Sequence, residues 1–377
     1  VNILHVNMSL DSVNGGTVER IRQLHISMQQ LGGVSSHVLS IATGESPALS
    51  PSDDVTLLPC WNRRWYLPAP KFFTMYRWVC WADVIHIMNH WTIFNAIIYW
   101  MARMMGKPYV ICPAGALPLF GRSTGFKRWY NRLVGKALVK NSAAAITIAA
   151  DEIKELNKYG VPEERIQHIP NGVRFDDFSC SDGQAFRDVI GLGSADFLLF
   201  VGRLNAIKGP DILLDAFVEM SSRFPLLHLV FAGPDGGLLE DMKSKAVKEG
   251  VADRVHFAGF VAGHLKASAY HGASLLVVPS RQEAMSIVAL EGAVCGIPVL
   301  LTDQCGFDAL AQHGAARLTQ ANPSSIAEAI IELMADSELR KEMGRRGRCL
   351  AIECYTWDIA ARRCVDMFES VLGATRR

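Results

Sequence analysis

Phe197-Leu198-Leu199-Phe200-Val201-Gly202-Arg203-Leu204-Asn205-Ala206-Ile207-Lys208-Gly209 is an apolar run of five residues that breaks on a glycine and then carries two cations, Arg203 and Lys208, five residues apart. An unbroken apolar run of this length, without alternation, suits a strand covered on both faces, as in a parallel sheet. The loop at the carboxyl end of such a strand is where open α/β sheets bind ligands. Arg203 has the fork to grip phosphate oxygens and Lys208 supplies a compact charge, so together they suit a diphosphate.

The same unit repeats in both directions from that stretch. Strands are expected downstream at 228–232, 255–257, 275–278 and 299–301, and upstream at 2–8, 37–42, 83–88, 109–112, 144–148 and 167–169, with helical periods between most of them. This alternation predicts an α/β protein, and 377 residues are enough for two domains. The polar passage from Arg174 to about Asp188 divides a first domain over 1–173 from a second over 186–356, and 357–377 reads as one more amphipathic helix. The fold class expected is two doubly wound, Rossmann-like domains facing a central cleft.

Composition narrows the setting. Half the residues are apolar, yet the stretch 91–105 is interrupted by Asn95 and Arg103 and is too short to span a bilayer. No basic-then-apolar leader opens the sequence, and nine cysteines, an odd number, show neither metal nor disulfide spacing. A cytoplasmic protein with buried thiols is expected. The net charge of +1 hides an asymmetry: residues 55–150 hold twelve Lys or Arg, one acid (Asp83) and seven of the eight tryptophans. A basic, aromatic region in a neutral chain implies an anionic partner for one domain.

Three more strand-end loops carry candidate chemistry. Gly15-Gly16 follows the opening strand and precedes a helix, where bare amides and the helix dipole favour an anion. Pro279-Ser280-Arg281-Gln282-Glu283-Ala284-Met285-Ser286-Ile287-Val288-Ala289-Leu290-Glu291 leads into a helix near Ser286, with two glutamates eight positions apart. Carboxylates accept sugar hydroxyls, and unpaired amides at Met285, Ser286 and Ile287 would donate to phosphates, so the pattern suits a sugar nucleotide. His86 and His90 end another strand and are candidate proton handlers on the acceptor side. No Walker loop, no dinucleotide fingerprint after a strand, no zinc spacing and no Asp-x-Asp is present, so no metal site is expected.

In this order the residues resemble the retaining glycosyltransferases of family 4, which have the GT-B fold. The resemblance runs through Gly15-Gly16, Ile169-Pro170-Asn171-Gly172-Val173, Gly202-Arg203 with Lys208-Gly209, Glu283 to Glu291, Cys295-Gly296-Ile297-Pro298-Val299, and Tyr355-Thr356-Trp357. It implies that Arg203 and Lys208 hold the diphosphate of a UDP- or GDP-linked donor, Glu291 the ribose, Glu283 with the amides of 285–287 the transferred sugar, and Gly16 the distal phosphate. It also implies that the last helix crosses back onto the first domain. Two departures stand out: Ala114, in Pro113-Ala114-Gly115-Ala116-Leu117, replaces a histidine common in the family, and Met285-Ser286 replaces Phe-Gly. Metal-independent sugar transfer is expected, with the nucleotide sugar as co-substrate and no other cofactor. An epimerase or hydrolase of the same fold, or a sugar-nucleotide-binding protein without transfer, are the alternatives.

The basic region suggests where the acceptor is met. From Phe126 to Lys140 the apolar residues Phe126, Trp129, Tyr130, Leu133, Val134, Ala137 and Leu138 recur at helical spacing, beside Arg128, Arg132, Lys136 and Lys140. With Trp61, Arg63, Arg64, Trp65, Tyr66, Lys71, Phe72, Phe73, Arg77 and Trp78, these suit an anionic membrane surface rather than nucleic acid. A protein peripheral on the inner face of the plasma membrane, receiving a lipid-linked or membrane-associated glycan, is expected.

Overall fold

The computed structural model describes residues 1–11, 16–44, 47–118, 124–179 and 182–375. Its contacts divide the chain into two compact units, Val1–Gly172 with Trp357–Arg377, and Val173–Thr356.

The first unit is built on β1 (Asn2–Asn7), β2 (Ser35–Ala42), β3 (Val55–Asn62), β4 (Leu67–Pro68), β5 (Val84–Met88), β6 (Tyr109–Cys112), β7 (Ala144–Thr147) and β8 (Ile166–His168), in the order β4-β3-β2-β1-β5-β6-β7-β8. Every neighbouring pair is parallel except β3 with β4. Strands β5, β6 and β7 are buried at every position, which is why they read as unbroken apolar runs. β3 and β4 were not expected. β3 carries Pro59 and is largely exposed in its second half, and β4 has two residues, so neither shows the signal of a strand covered on both faces. Helix Trp357–Thr375 belongs to this unit and packs against helix Gly16–Gln29, with Phe368 fully buried and its ring 5.6 Å from that of His86.

The second unit has β9 (Phe197–Val201), β10 (His228–Ala232), β11 (Val255–Gly259), β12 (Leu275–Val278), β13 (Val299–Thr302) and β14 (Ala316–Thr319), all parallel, in the order β11-β10-β9-β12-β13-β14. β14 escaped the sequence reading because it is a four-residue edge strand with an exposed Arg317. The passage 174–188, expected to be irregular, holds a 3-10 turn at Phe175–Phe178 and a helix at Gln184–Ile190. Both belong to the second unit. Gly183 makes the packing feasible: a Cβ there would come within 2.3 Å of Gly272 Cα. Ser268 Oγ accepts from the Phe186 amide at 2.9 Å and donates to the Asp182 carbonyl at 2.6 Å.

Both sheets are doubly wound, with strand order reversing between β1 and β5 in one and between β9 and β12 in the other. The carboxyl ends beside those reversals are where ligands bind in such sheets. Among the described residues no helix is long and apolar enough to cross a membrane.

Candidate active site

In the second unit the reversal falls between the two loops that the sequence marked. After β9 the chain turns on Gly202, whose amide donates to the Ala232 carbonyl at 2.9 Å. Asn205 then organises the loop, its side chain accepting from the Lys208 amide at 3.0 Å. Gly209 ends it at φ +68°, and a Cβ there would stand 2.1 Å from the Pro279 carbonyl oxygen, so this position needs glycine on two counts. Pro210 then opens helix Pro210–Met220 at a position where its missing N–H costs nothing.

Arg281, within the Glu283 motif, ties this loop to the one after β12. Its guanidinium grips Asp211 with two bonds of 2.8 and 2.6 Å and donates to the Ala206 carbonyl at 2.6 Å, while its amide donates to the Ile207 carbonyl at 2.8 Å. With the loops locked together, Lys208 Nζ meets Glu283 Oε1 at 3.0 Å. Ser280 also donates to Glu283 Oε1, and the Glu283 amide donates to the Gln304 carbonyl at 2.9 Å. Arg203 lies exposed at the start of the first loop.

Helix Ile287–Cys295 leaves the same site with Ser286 as its N-cap, the buried hydroxyl accepting from the Ala289 amide at 3.3 Å. The expectation of unpaired amides through 285–287 is corrected at Ser286, whose amide donates to the Cys305 carbonyl at 3.2 Å. The cause is the segment after β13, which lies against the Glu283 loop: Thr302 Oγ1 donates to the Ser280 carbonyl, and a Cβ at Gly306 would stand 2.0 Å from the Ala284 carbonyl oxygen. Met285 is buried as well. Burial, with Glu283 nearby, pushes the Cys305 thiol up to about 12 and keeps it protonated. Glu291, also on this helix, accepts from Lys266 and Tyr270, neither of which was singled out in the sequence. Among the described residues no group of three or more His, Cys, Asp or Glu could hold a metal ion.

The strand ends of the first unit are of another kind. Gly15 lies outside the described residues, and Gly16 is the exposed first residue of helix Gly16–Gln29. Arg20, one turn on, is fully buried and donates to the Ile169 carbonyl at 2.9 Å, the Pro170 carbonyl at 3.1 Å and Asn171 Oδ1 at 3.0 Å. Those bonds explain the Ile169-Pro170-Asn171 segment, and the sequence offered no hint of a buried arginine. His86 and His90 are corrected as acceptor-side proton handlers, because both are fully buried. His86 Nδ1 bonds His5 Nδ1 at 2.9 Å, and burial takes His86 down to about 3. His90 Nε2 bonds Asn131 Oδ1 at 3.0 Å, and burial takes it down to about 4. Ala114 has φ +52° and is followed by Gly115 at +80°, whose amide donates to the buried Glu152.

The basic segment is not one continuous helix. Helix Thr124–Tyr130 passes through a π-helical turn, Asn131–Gly135, into Lys136–Lys140. At that turn Asn131 donates to Tyr159 Oη at 2.7 Å while accepting from His90, and Gly135 is so close that a Cβ would lie 2.4 Å from Asn131 Oδ1. Tyr130, Val134 and Leu138 are buried, but Trp129 and Leu133 are exposed with Arg128, Arg132, Lys136 and Lys140. A cavity of about 570 Å³ is lined by Arg128, Asn131, Arg132, Leu133, Lys136 and Ala137.

Two family models match the chain, Glycosyltransferase Family 4 over residues 14–177 and Glycosyl transferases group 1 over residues 184–349. The D-inositol 3-phosphate glycosyltransferase of Frankia alni is 30% identical over 313 residues, 77% of this chain and 75% of its own length. Streptomyces enzymes of the same name are matched over little more than half their length, 57% and 56%. The Anabaena protein HepE, solved in complex with UDP, superimposes with a TM-score of 0.81 at 17% identity, covering 98% of this chain and 100% of HepE. WaaG, a glycosyltransferase involved in lipopolysaccharide biosynthesis, gives 0.68 at 17% identity, covering 97% and 99%. At such identities these two structures establish the GT-B fold and nothing finer.

Proposed function

This chain belongs to the family 4 glycosyltransferases of group 1, and we propose that it transfers a sugar, with retention of anomeric configuration, from a UDP- or GDP-linked donor to a lipid-linked or membrane-associated glycan. The setting is assembly of a bacterial surface polysaccharide or glycolipid, with the donor on the second unit and the acceptor on the first. One observation carries the donor half: Lys208 and Glu283, from separate strand-end loops at the reversal of the sheet, meet at 3.0 Å. Lys208 keeps 33% of its side-chain surface and Glu283 9%, so the pair opens to solvent on the lysine side, where a diphosphate can take over the ammonium group. The diphosphate then draws Lys208 and Arg203, the transferred sugar draws Glu283 and the segment from Met285 to Ile287, and the ribose draws Glu291. Charge on the departing diphosphate, as the anomeric carbon becomes cationic, meets cations already in place, without a metal ion.

The acceptor half rests on the surface of the first unit. Trp61, Phe73 and Trp129 are 73, 81 and 59% exposed. Trp65, 4.4 Å from Phe126, links the stretch around Trp61 to helix Thr124–Tyr130, in a region without any acid from 84 to 150. Exposed rings among cations suit the interface of an anionic bilayer, where each cation near the surface adds about 1 kcal/mol. The cavity beside Arg128, Arg132 and Lys136 favours a second reading, a water-soluble acceptor that carries a phosphate, as the name of the Frankia relative has it.

One assay tests both halves: release of UDP or GDP from a panel of nucleotide sugars in EDTA, with glycolipid acceptors in neutral or anionic vesicles or with soluble phosphorylated polyols. Release that depends on acceptor, withstands EDTA, rises with anionic lipid and falls when Arg128, Arg132, Lys136 and Lys140 are changed to Ser supports the proposal. A requirement for Mg²⁺ overturns the leaving-group assignment, and release without acceptor points to an epimerase or hydrolase. Indifference to lipid charge, with full turnover of a soluble phosphorylated acceptor, moves the acceptor to the second reading.

A further inference from the structure

Asn89 carries a polar group that the fold leaves unused. It follows β5, while Asn7 ends β1, and the strand order of the first unit reverses between these two parallel neighbours. Its φ is +65°, in the left-handed region, and its amide donates to the Cys112 carbonyl at 3.0 Å. Asparagine adopts that conformation more readily than most residues, but glycine adopts it without steric cost, so the backbone alone does not call for a carboxamide.

The bonds around it fix which way the carboxamide faces. Asn7 is fully buried; its Oδ1 accepts from the Met8 amide at 3.1 Å and its Nδ2 donates to the Ser9 carbonyl at 2.9 Å. The atom that Asn7 turns towards Asn89 is therefore an oxygen, and Asn89 meets it with Nδ2 at 2.7 Å. That assigns the other branch of the Asn89 side chain to Oδ1, to which no described residue donates, and one N–H of Nδ2 is unused as well. Asn95 also has an unpartnered Oδ1 but is fully buried, whereas Asn89 keeps 6% of its surface open. An unpaired oxygen in a nearly buried residue costs stability, and a left-handed backbone adds to that cost; both concentrate where a ligand completes the bonding.

The unused atoms select the chemistry of that ligand. One neutral hydrogen-bond acceptor and one neutral donor match a hydroxyl group, which gives one bond and takes another. A phosphate presents oxygens that only accept, and would set them against Oδ1. We propose that Asn89 binds a hydroxyl of the sugar or polyol ring of the acceptor substrate, with Asn7 as the positioning residue that orients the carboxamide. The bond to Asn7 stays in place when the hydroxyl binds. This rests on the reading of the first unit as the acceptor side, and it adds which part of the substrate docks at the reversal of that sheet: a neutral polyol, with any phosphate or lipid held elsewhere.

Asn89→Gly is the informative variant, because glycine keeps the backbone conformation and removes only the carboxamide. NMR spectra of the full chain with nitrogen-labelled asparagine, in which Asn89 is assigned by its loss in that variant, are recorded with myo-inositol, D-glucose, N-acetylglucosamine or inorganic phosphate. The Asn89 side-chain signals should move with at least one polyol and stay in place with phosphate. In steady-state assays with vesicle-borne glycolipids and soluble phosphorylated polyols, Asn89→Gly should raise the KM of the acceptor substrate at least about tenfold, with the donor KM and the thermal midpoint close to wild type. Asn7→Ala should raise it less, and should add nothing once residue 89 is glycine, whereas a merely structural Asn7 would act equally in both backgrounds. Unchanged KM for both substrates in Asn89→Gly, or side-chain signals indifferent to every polyol, overturns the proposal while leaving the first unit as the acceptor side. Nucleotide release that needs no acceptor, or an Asn89→Gly effect confined to the donor KM, overturns the acceptor-side reading itself.

Discussion

The two units share an architecture but pair their polar side chains in different ways. In the second unit the groups are charged, paired and partly open to solvent: Lys208 with Glu283, and Lys266 with Glu291. In the first several are neutral and buried: His5 against His86, His90 against Asn131, and Asn89 donating to Asn7 at 2.7 Å. Ion pairs whose cation stays partly open to solvent can change partners when a charged ligand arrives. Buried neutral pairs cannot, because charging either member would leave it without solvation. The second unit is therefore built to exchange contacts with phosphates and hydroxyls. The first unit presents exposed cations on helix Thr124–Tyr130 and the turns that follow it, and keeps Arg20 as a buried one.

Acid offers the strongest way to break this contrast. His86 is lowered to about 3 and His90 to about 4 by burial, against about 6.5 in an unfolded chain. A histidine with a depressed folded pKa stabilises the fold above 6.5, and that contribution is lost as pH falls towards the folded value. Each of these two should remove about 1.4 kcal/mol per pH unit below 6.5, so several kcal/mol are lost by pH 5. Denaturant melts between pH 7.5 and 5 should show this, and a double replacement of His86 and His90 by Leu should flatten the slope even where it lowers stability at pH 7.5. Equal slopes in the two proteins would mean that these histidines are not buried and neutral.

The charged unit should respond in activity instead. Lys208→Ala is expected to cost at least about tenfold in kcat/KM, about 1.4 kcal/mol or more, with some fall in the thermal midpoint as well, because it leaves the Glu283 side chain, 9% exposed, without its cation. Steady-state kinetics and a melt on the same sample decide it. A large fall in stability with normal kcat/KM would make Lys208 a structural residue and blur the distinction between the units.

Legibility followed the same division. β9 and β12 and their loops could be read because both strands are apolar throughout and each breaks into a loop that carries charge. Strands at or next to an edge, such as β3 and β14, were invisible, since half-exposed strands share their composition with loops. Buried polar groups misled for a related reason. Histidine near a strand end looks alike in sequence whether it handles protons for an acceptor, as was expected of His86 and His90, or is sealed beneath the surface. The Ser286 amide was lost to a contact from 305, and Arg20 was missed because its partners are 149 to 151 residues away. Lys266 and Tyr270 were missed although their spacing of four was visible, because only the fold brings that helix face to Glu291.

The smallest effect expected comes from Ala114, in the loop after β6. Its φ of +52° is a left-handed conformation, which costs a residue with a Cβ about 1 to 2 kcal/mol relative to the right-handed one and costs glycine almost nothing. The conformation is held from outside: Glu152 accepts from the amides of Gly115, Ile148 and Ala149, and so ties the loop after β6 to the one after β7. Gly115 continues in the left-handed region at +80°, so the loop cannot relax by passing the strain along. Ala114→Gly removes the strain but frees the unfolded chain, which returns roughly 0.5 to 1 kcal/mol of the gain. The net expectation is a stabilisation of about 0.5 kcal/mol, seen as a slightly higher denaturant midpoint with an unchanged m-value, and no change in turnover. Destabilisation would show that the Ala114 methyl group makes contacts worth more than the strain. A fall in turnover at unchanged stability would place that methyl group against the acceptor, and would bring a neutral strand end of the first unit into the chemistry after all.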